Sequence, residues 1–231
     1  MSTLRILSAG AAQAVTERII EAFERDTGAR VTAEFSAIGA MKARVTGGEA
    51  VDVVTLSQSM IDELIAGGYV QQGSRFDLGK VGTGVAVHAG VALPKTASAE
   101  ELRATVLSAT KIVCPDPATA TAGKVVIAAF ERLGIAEQVR DRLQFFPNGY
   151  AAMRWLAAEG GARDVGITQV TEILPNKAVS YAGPLPDALQ QKTIYSVGIA
   201  ARANEPQLAK NFVGRFASAR SLLVEAGYEL E

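Results

Sequence analysis

Hydrophobic and polar positions along the chain follow two rhythms. Short apolar or alternating runs such as "LRILS", "ARVTAEF", "VDVVTL" and "DVGITQ" are separated by longer stretches in which apolar side chains recur every three or four residues. The first rhythm is that of strands, the second that of amphipathic helices. From Ala11 to about Thr27, the residues Val15, Ile19, Ala22 and Phe23 share one helical face, and Gly28 is placed to end the helix. A strand over 29–35, a short helix over 39–46 and a strand over 51–56 follow. Ser57 is positioned to cap the next helix, which stops at Gly67 and Gly68.

A second series starts after residue 82. It opens with a glycine-broken strand over 84–93, and Ser98 with Glu101 forms a capping box for a helix ending near Ala109. The strand "KIVCPDP" leads to a helix that aligns Val126, Phe130 and Leu133 and closes at Gly134. "LQFF", "NGYAAMRWLAAEGG" and "DVGITQ" repeat the order strand, helix, strand. The stretch 182–191 carries two prolines and no period, which predicts a loop. A strand over 193–201 and two helices, the first opened by Asn204 and Pro206, complete the chain.

This alternation predicts an α/β protein with mostly parallel sheets flanked by helices. The two series predict two lobes, 1–82 with 192–231 and 83–191, with a ligand cleft between them. Gly82, Gly84, Gly90 and Gly198 fall near the two crossovers, where lobe closure would have to bend the chain.

Charge and composition narrow the function. With 23 Lys and Arg against 24 Asp and Glu, and no long run of one sign, neither nucleic acid nor a membrane surface is an expected partner. Cys114 and His88 are the only residues of their kinds, so an intrachain disulfide is excluded and no metal site is expected. No apolar run approaches the ~20 residues that cross a bilayer, so membrane insertion is not expected either. The start "MSTLRILSAG" has no basic n-region, no long apolar run and no cleavage site. It predicts a cytoplasmic protein as the sequence stands, and a periplasmic one if a signal peptide has been removed.

Familiar cofactor fingerprints fail. "TATAGKVV" has Ala118 where a phosphate-binding loop needs its first glycine, and Val125 where it needs a hydroxyl for magnesium. "GTGVAV" lacks the third glycine of a dinucleotide site, and no cofactor is expected. What remains is a set of small-residue turns leading into helices: "AGAA", "SAIGA", "ATATAG" and "NG". Helix starts offer unpaired N–H groups and a partial positive charge, so converging starts would suit an anion. Candidate ligand-binding residues are therefore Gly10, Ala11 and Ala12; Ile38, Gly39 and Ser57; Thr119, Ala122, Gly123 and Lys124; and Gly149. Gln169 joins them because it ends an apolar strand, where open α/β sheets face their ligands, though it would equally serve as a helix cap. His88, Lys124 and Asp116 are the candidate bases for any proton transfer. His88 beside apolar neighbours, Cys114 in an apolar strand and Trp155 at helical spacing read first as structural.

At these same turns the chain resembles the periplasmic molybdate-binding protein family, within the type II solute-binding fold. The resemblance runs from "LSAGAAQAVTERI" through "DPATATAGKVVIAAFERLG" and "VGITQVTEILP" to the C-terminal helices. It implies two α/β lobes joined by two crossovers, with ligand bound between them. It also implies that serines in the first two turns hold the oxyanion, at positions occupied here by Ala11 and Ile38. A backbone amide at Ala122, a contact near Gly149 and a tyrosine whose place Gln169 takes complete the implied set. Each buried oxyanion hydrogen bond is worth about 1.5–3 kcal/mol, so losing two or three weakens binding by several decades. Molybdate is therefore not the expected ligand. The expectation is a binding protein for a small organic anion, a carboxylate above all, oriented by Gln169, Ser57, Thr119 and Lys124. An ABC permease is the implied partner if the chain is exported. Aconitate isomerase is similar to the same broad family, which makes an isomerase of a small unsaturated acid the alternative.

Overall fold

The computed structural model describes residues 2–230. β1 (Thr3–Ala9) runs through one 3-10 turn, Gly10–Ala12, into α1 (Gln13–Thr27). β2 (Arg30–Ser36), α2 (Ile38–Thr46), β3 (Val53–Ser57) and α3 (Gln58–Ala66) follow, then β4 (Phe76–Val81) and β5 (Thr83–His88). Next come α4 (Ala99–Ser108), β6 (Ile112–Pro115), α5 (Thr121–Arg132), the single-turn α6 (Ala136–Val139) and β7 (Leu143–Phe146). The chain continues with α7 (Gly149–Glu159), β8 (Val165–Gln169), the short α8 (Val170–Ile173) and β9 (Val179–Pro184). It ends with β10 (Thr193–Ile199), α9 (Pro206–Ser218) and α10 (Arg220–Glu225).

Two compact units result: the chain through Val81 together with Thr193 onward, and Gly82–Lys192. The first unit holds a five-stranded sheet in the order β2-β1-β3-β10-β4. β1 runs parallel to β2 and β3, whereas β10 runs antiparallel to β3 and β4. The second unit's sheet has the order β7-β6-β8-β5-β9, with β6 parallel to β7 and β8, and β5 antiparallel to β8 and β9. Both sheets are therefore mixed rather than mostly parallel, because β10 and β5 run against the strands they join.

Each unit has its own core. In the first, Phe212 meets Phe23 and Phe216 edge-on, with centroids 5.2 and 5.8 Å apart, among Leu4, Ile6, Leu56 and Ile61. The second unit's sheet is buried on both faces: Val85, Val87, Ile112 and Cys114 belong to one apolar cluster, while Ala86 and Val113, from the alternate positions, belong to another. Local signals act as the sequence predicts at several ends. Gly28 adopts φ +68° and closes α1 through its N–H to the Glu24 carbonyl, and Ser98 with Glu101 forms the capping box of α4.

Other details differ from expectation. The first helix starts at Gln13, because Gly10–Ala12 tighten into a 3-10 turn. β4 and β9 were not expected as strands; both are sheet edges, and β9 ends in Gly183-Pro184, a pair that breaks the periodic signal. Gly84 and Gly198 lie inside β5 and β10. A Cβ at Gly84 would come within 2.6 Å of the Tyr181 ring, and one at Gly198 within 2.8 Å of Val70. Close packing accounts for the glycine at both positions.

Candidate functional site

Parallel pairing brings strand ends together. In the first unit, the register Ala9↔Ser36 and Ser8↔Thr55 aligns the carboxyl ends of β1, β2 and β3. Each end hands over at once to a helical start: the turn before α1, then α2, then α3. The predicted residues Gly10, Ala11, Ala12, Ile38, Gly39 and Ser57 all fall on this edge, the one where open α/β sheets bind ligands. No side chain caps any of these starts. Ser57 stands at the cap position of α3 but makes no capping bond; its Oγ lies 3.4 Å from Ser59 Oγ. Thr55, fully buried beside Ser8, has a hydroxyl without a hydrogen-bond partner. The Tyr228 hydroxyl donates to the Ala11 carbonyl at 3.2 Å and pins the first turn from the C-terminal side. Ile38 packs into the core beside Met41 and Val45, so its backbone N–H is its main offering at this edge.

The second unit repeats the plan. β6, β7 and β8 end at Pro115, Phe146 and Gln169, and α5, α7 and α8 start just beyond. The register Pro115↔Phe146 and Ile112↔Val165 brings those ends to one edge, with Asp116, Thr119, Ala122, Gly123, Lys124, Gly149 and Gln169. Their roles differ. The Asp116 carboxylate accepts the Ala118 N–H at 2.8 Å and its carbonyl accepts those of Thr119 and Ala120, so it builds the turn. A Cβ on Gly123 would lie 2.3 Å from the Pro115 carbonyl oxygen, so glycine is there to let α5 pack against Pro115–Pro117. Ala122 is buried, Thr119 and Lys124 are exposed, and no side chain caps α5. Gln169 is buried at the start of α8, beside Thr83, whose hydroxyl has no partner.

His88 is not part of this edge. Thr83 opens β5 opposite Gln169 and His88 closes it, roughly 17 Å away at strand rise. Its Nδ1 lies 2.7 Å from the Ala89 carbonyl oxygen. Cys114 is an inert packed thiol, pushed up to about 12 by burial first and the Asp116 carboxylate second. Trp155 is half-buried against Phe146, with the Lys111 ammonium 4.8 Å from its ring centre.

One residue at the edge was not anticipated. Glu172, on α8, is only 4% exposed. Its carboxylate accepts the Thr168 hydroxyl at 2.5 Å and the Gly149 N–H at 3.2 Å. Burial pushes its carboxyl up to about 7, while hydrogen bonds from Thr168, Gly149 and the Gln169 backbone pull the other way. A Cβ on Gly149 would sit 2.0 Å from the Glu172 carboxylate, so only glycine fits. Asn148 caps the same helix by accepting the Ala151 N–H at 2.8 Å. The Gly149 amide, expected to face a ligand, is thus engaged by the protein's own carboxylate. Among the described residues no group of three His, Cys, Asp or Glu side chains is placed to hold a metal ion, and no helix is long and apolar enough to cross a membrane.

Two mixed sheets with helices starting at their carboxyl edges can be compared with known proteins. The profile of the bacterial extracellular solute-binding protein family matches residues 4–229. The chain belongs to that family. Among solved solute-binding proteins, it is similar to the periplasmic molybdate-binding protein of Azotobacter vinelandii, with a TM-score of 0.83, 20% identity and 99% of each chain covered. It is also similar to PEB3 solved with L-phospholactate bound, with a TM-score of 0.72, 15% identity and coverage of 99% of this chain and 100% of that one. An aconitate isomerase from Pseudomonas is 25% identical over 223 residues, covering 94% of this chain and 83% of the relative. The type II solute-binding fold, molybdate-binding-protein-like in architecture, is the fold of this chain.

Proposed function

We propose that this solute-binding protein takes a small organic anion, a di- or tricarboxylate, at the uncapped helix starts of these sheet edges, and does not prefer molybdate. The observation that carries this reading is the pairing of free helix starts with apolar side chains: Ala11 and Ile38 bring no hydroxyl to an edge that leaves its helix starts uncapped. A compact tetrahedral oxyanion needs donors on every side. A planar carboxylate needs two N–H groups, and its carbon skeleton favours apolar surroundings. A thermal-shift panel tests this. Ligand at 100 times its Kd adds about 2.7 kcal/mol. That corresponds to a rise of roughly 5–10 °C in Tm for a chain of this size. Succinate, citrate or trans-aconitate should give such a rise, molybdate and sulfate should not, and Ala11→Asp should abolish it by placing a negative charge at the first helix start. Molybdate stabilising as well as any carboxylate would overturn the reading. In this reading an ABC permease is the partner of the chain if it is exported.

A second reading, an isomerase of a small unsaturated acid, is favoured by the likeness to aconitate isomerase over 94% of this chain. Incubation with cis-aconitate in deuterated water decides it: solvent deuterium or a new isomer in the NMR spectrum supports an enzyme, and an unchanged spectrum with binding supports a carrier or sensor.

A further inference from the structure

Glu172 is a buried carboxyl at the edge of the second unit, and the causes acting on it are burial and hydrogen bonds, with no cation among them. The elements packed against α8 are α7, β5, β8 and β9. Their titratable or charged side chains are Tyr150, Arg154 and Glu159 on α7, His88 on β5 and Tyr181 on β9; β8 has none. Two buried hydroxyls on neighbouring residues also lack partners, that of Thr171, next to Glu172 in sequence, and that of Thr83, opposite Gln169. Gly149 lacks a side chain because the carboxylate fills that space.

We propose that an anion binding at this edge of the second unit is taken up together with one proton, and that Glu172 receives it. This rests on the anion-binding reading above. The ionised carboxylate is held by the Gly149 N–H and the Thr168 hydroxyl while burial opposes its charge. A second negative charge arriving at the same edge adds like-charge repulsion and favours the neutral acid. The proton comes from solvent and lands on Oε2. The new O–H donates to Thr168 Oγ1, and the hydrogen that Thr168 gave to Oε2 is released for another acceptor. Charge balances: one anion and one proton enter together, and no other bond is made or broken.

Isothermal titration of trans-aconitate at pH 7.5 in HEPES and in Tris reads the proton directly, since the two buffers differ in ionisation enthalpy. Wild type should take up about half a proton or more per ligand beyond the ligand's own titration, and Glu172→Gln should lose that excess. Binding to wild type should weaken by up to about tenfold per pH unit above 7, and binding to Glu172→Gln should not. Equal uptake by both proteins overturns the inference and leaves the binding reading standing. Failure of every carboxylate to bind overturns both. If Glu172→Gln does not fold, Thr168→Val replaces it: losing the hydroxyl that stabilises the ionised form should move the uptake profile to higher pH, and an unmoved profile overturns the proposal.

Discussion

The first unit orders its strands β2-β1-β3-β10-β4 and the second β7-β6-β8-β5-β9, so each strand of one has a counterpart in the other. Asp52 and Asp164 precede the counterpart strands β3 and β8, and both reach back to the neighbouring central strand. Asp52 accepts the Arg5 N–H at 2.8 Å, and Asp164 accepts the Lys111 N–H at 3.0 Å. Counting on from these aspartates, Ser57 matches Gln169 and Met60 matches Glu172. The two edges diverge at that last pair. α2 has no capping side chain, whereas its counterpart α7 is held by Asn148 and by Glu172 from α8. One unit leaves its helix starts without a capping side chain, and the other holds one of its starts from within. The same scaffold thus supports two kinds of edge, and Asn148 together with the Glu172 carboxyl makes the difference.

The largest expected effect breaks the second edge directly. Gly149→Ala forces a Cβ into the Glu172 carboxylate and the Thr168 hydroxyl, at 2.0 and 2.1 Å. It should destabilise the chain by about 3 kcal/mol or more in urea unfolding, because overpacking and a broken buried polar cluster add. A loss below about 1 kcal/mol would show that the cluster yields easily.

The next effect is one of pH. The Glu172 carboxyl moves from 4.5 to about 7 on folding, so the folded chain binds this proton more tightly than the unfolded chain. The stabilisation is complete below pH 4.5 and is lost as pH rises to about 7. It amounts to about 3 kcal/mol at one pKa unit per 1.36 kcal/mol. Asp26, held low by Arg215, and Glu34 and Glu49, held low by Arg44, act in the opposite sense and lose stability as pH falls through the acid range. Urea unfolding between pH 5 and 7.5 should therefore show wild type losing stability relative to Glu172→Gln as pH rises. Parallel profiles would contradict the account.

A smaller difference sharpens the symmetry between the units. Asp52 accepts three backbone N–H groups, from Arg5, Asn204 and Glu205, and Asp164 accepts two, from Lys111 and Gly161. Both alanine variants should destabilise, Asp52→Ala by up to about 1 kcal/mol more, since it leaves one more partly buried donor without its partner. The smallest effect is a gain. Gly214 lies within α9 with nothing near its missing Cβ, so Gly214→Ala should stabilise the first unit by about 0.5–1 kcal/mol.

Most of this scaffold was legible in the sequence because its central strands and long helices carry strong periodic signals. Val15, Ile19 and Phe23 on α1, and Val126 and Phe130 on α5, are buried as their spacing predicts. The edge strands were not legible. β4 mixes Asp77, Gly79 and Lys80 into its run, and β9 ends at a glycine-proline pair, because an edge needs neither two buried faces nor every backbone bond. The small-residue turns were legible as helix starts, yet the division of labour among them was not. Glu172 looks like any acidic residue in the first turn of a helix, and its partner Gly149 lies 23 positions away. The available signal was the combination of a helix-starting glycine after a capping asparagine and a lone carboxyl among apolar residues in "VTEIL".

The central claim concerns which helix starts meet the ligand, and amide chemical shifts report on that most directly. In a 15N-labelled sample titrated with trans-aconitate, the amides of Ala11, Ala12, Ile38, Gly39 and Ala122 should move most and earliest. The Gly149 amide, already bonded to Glu172, should follow only the protonation of that carboxylate, and should move little in Glu172→Gln. Large shifts at Gly149 with still signals at residues 10–12 and 38–39 would contradict the account.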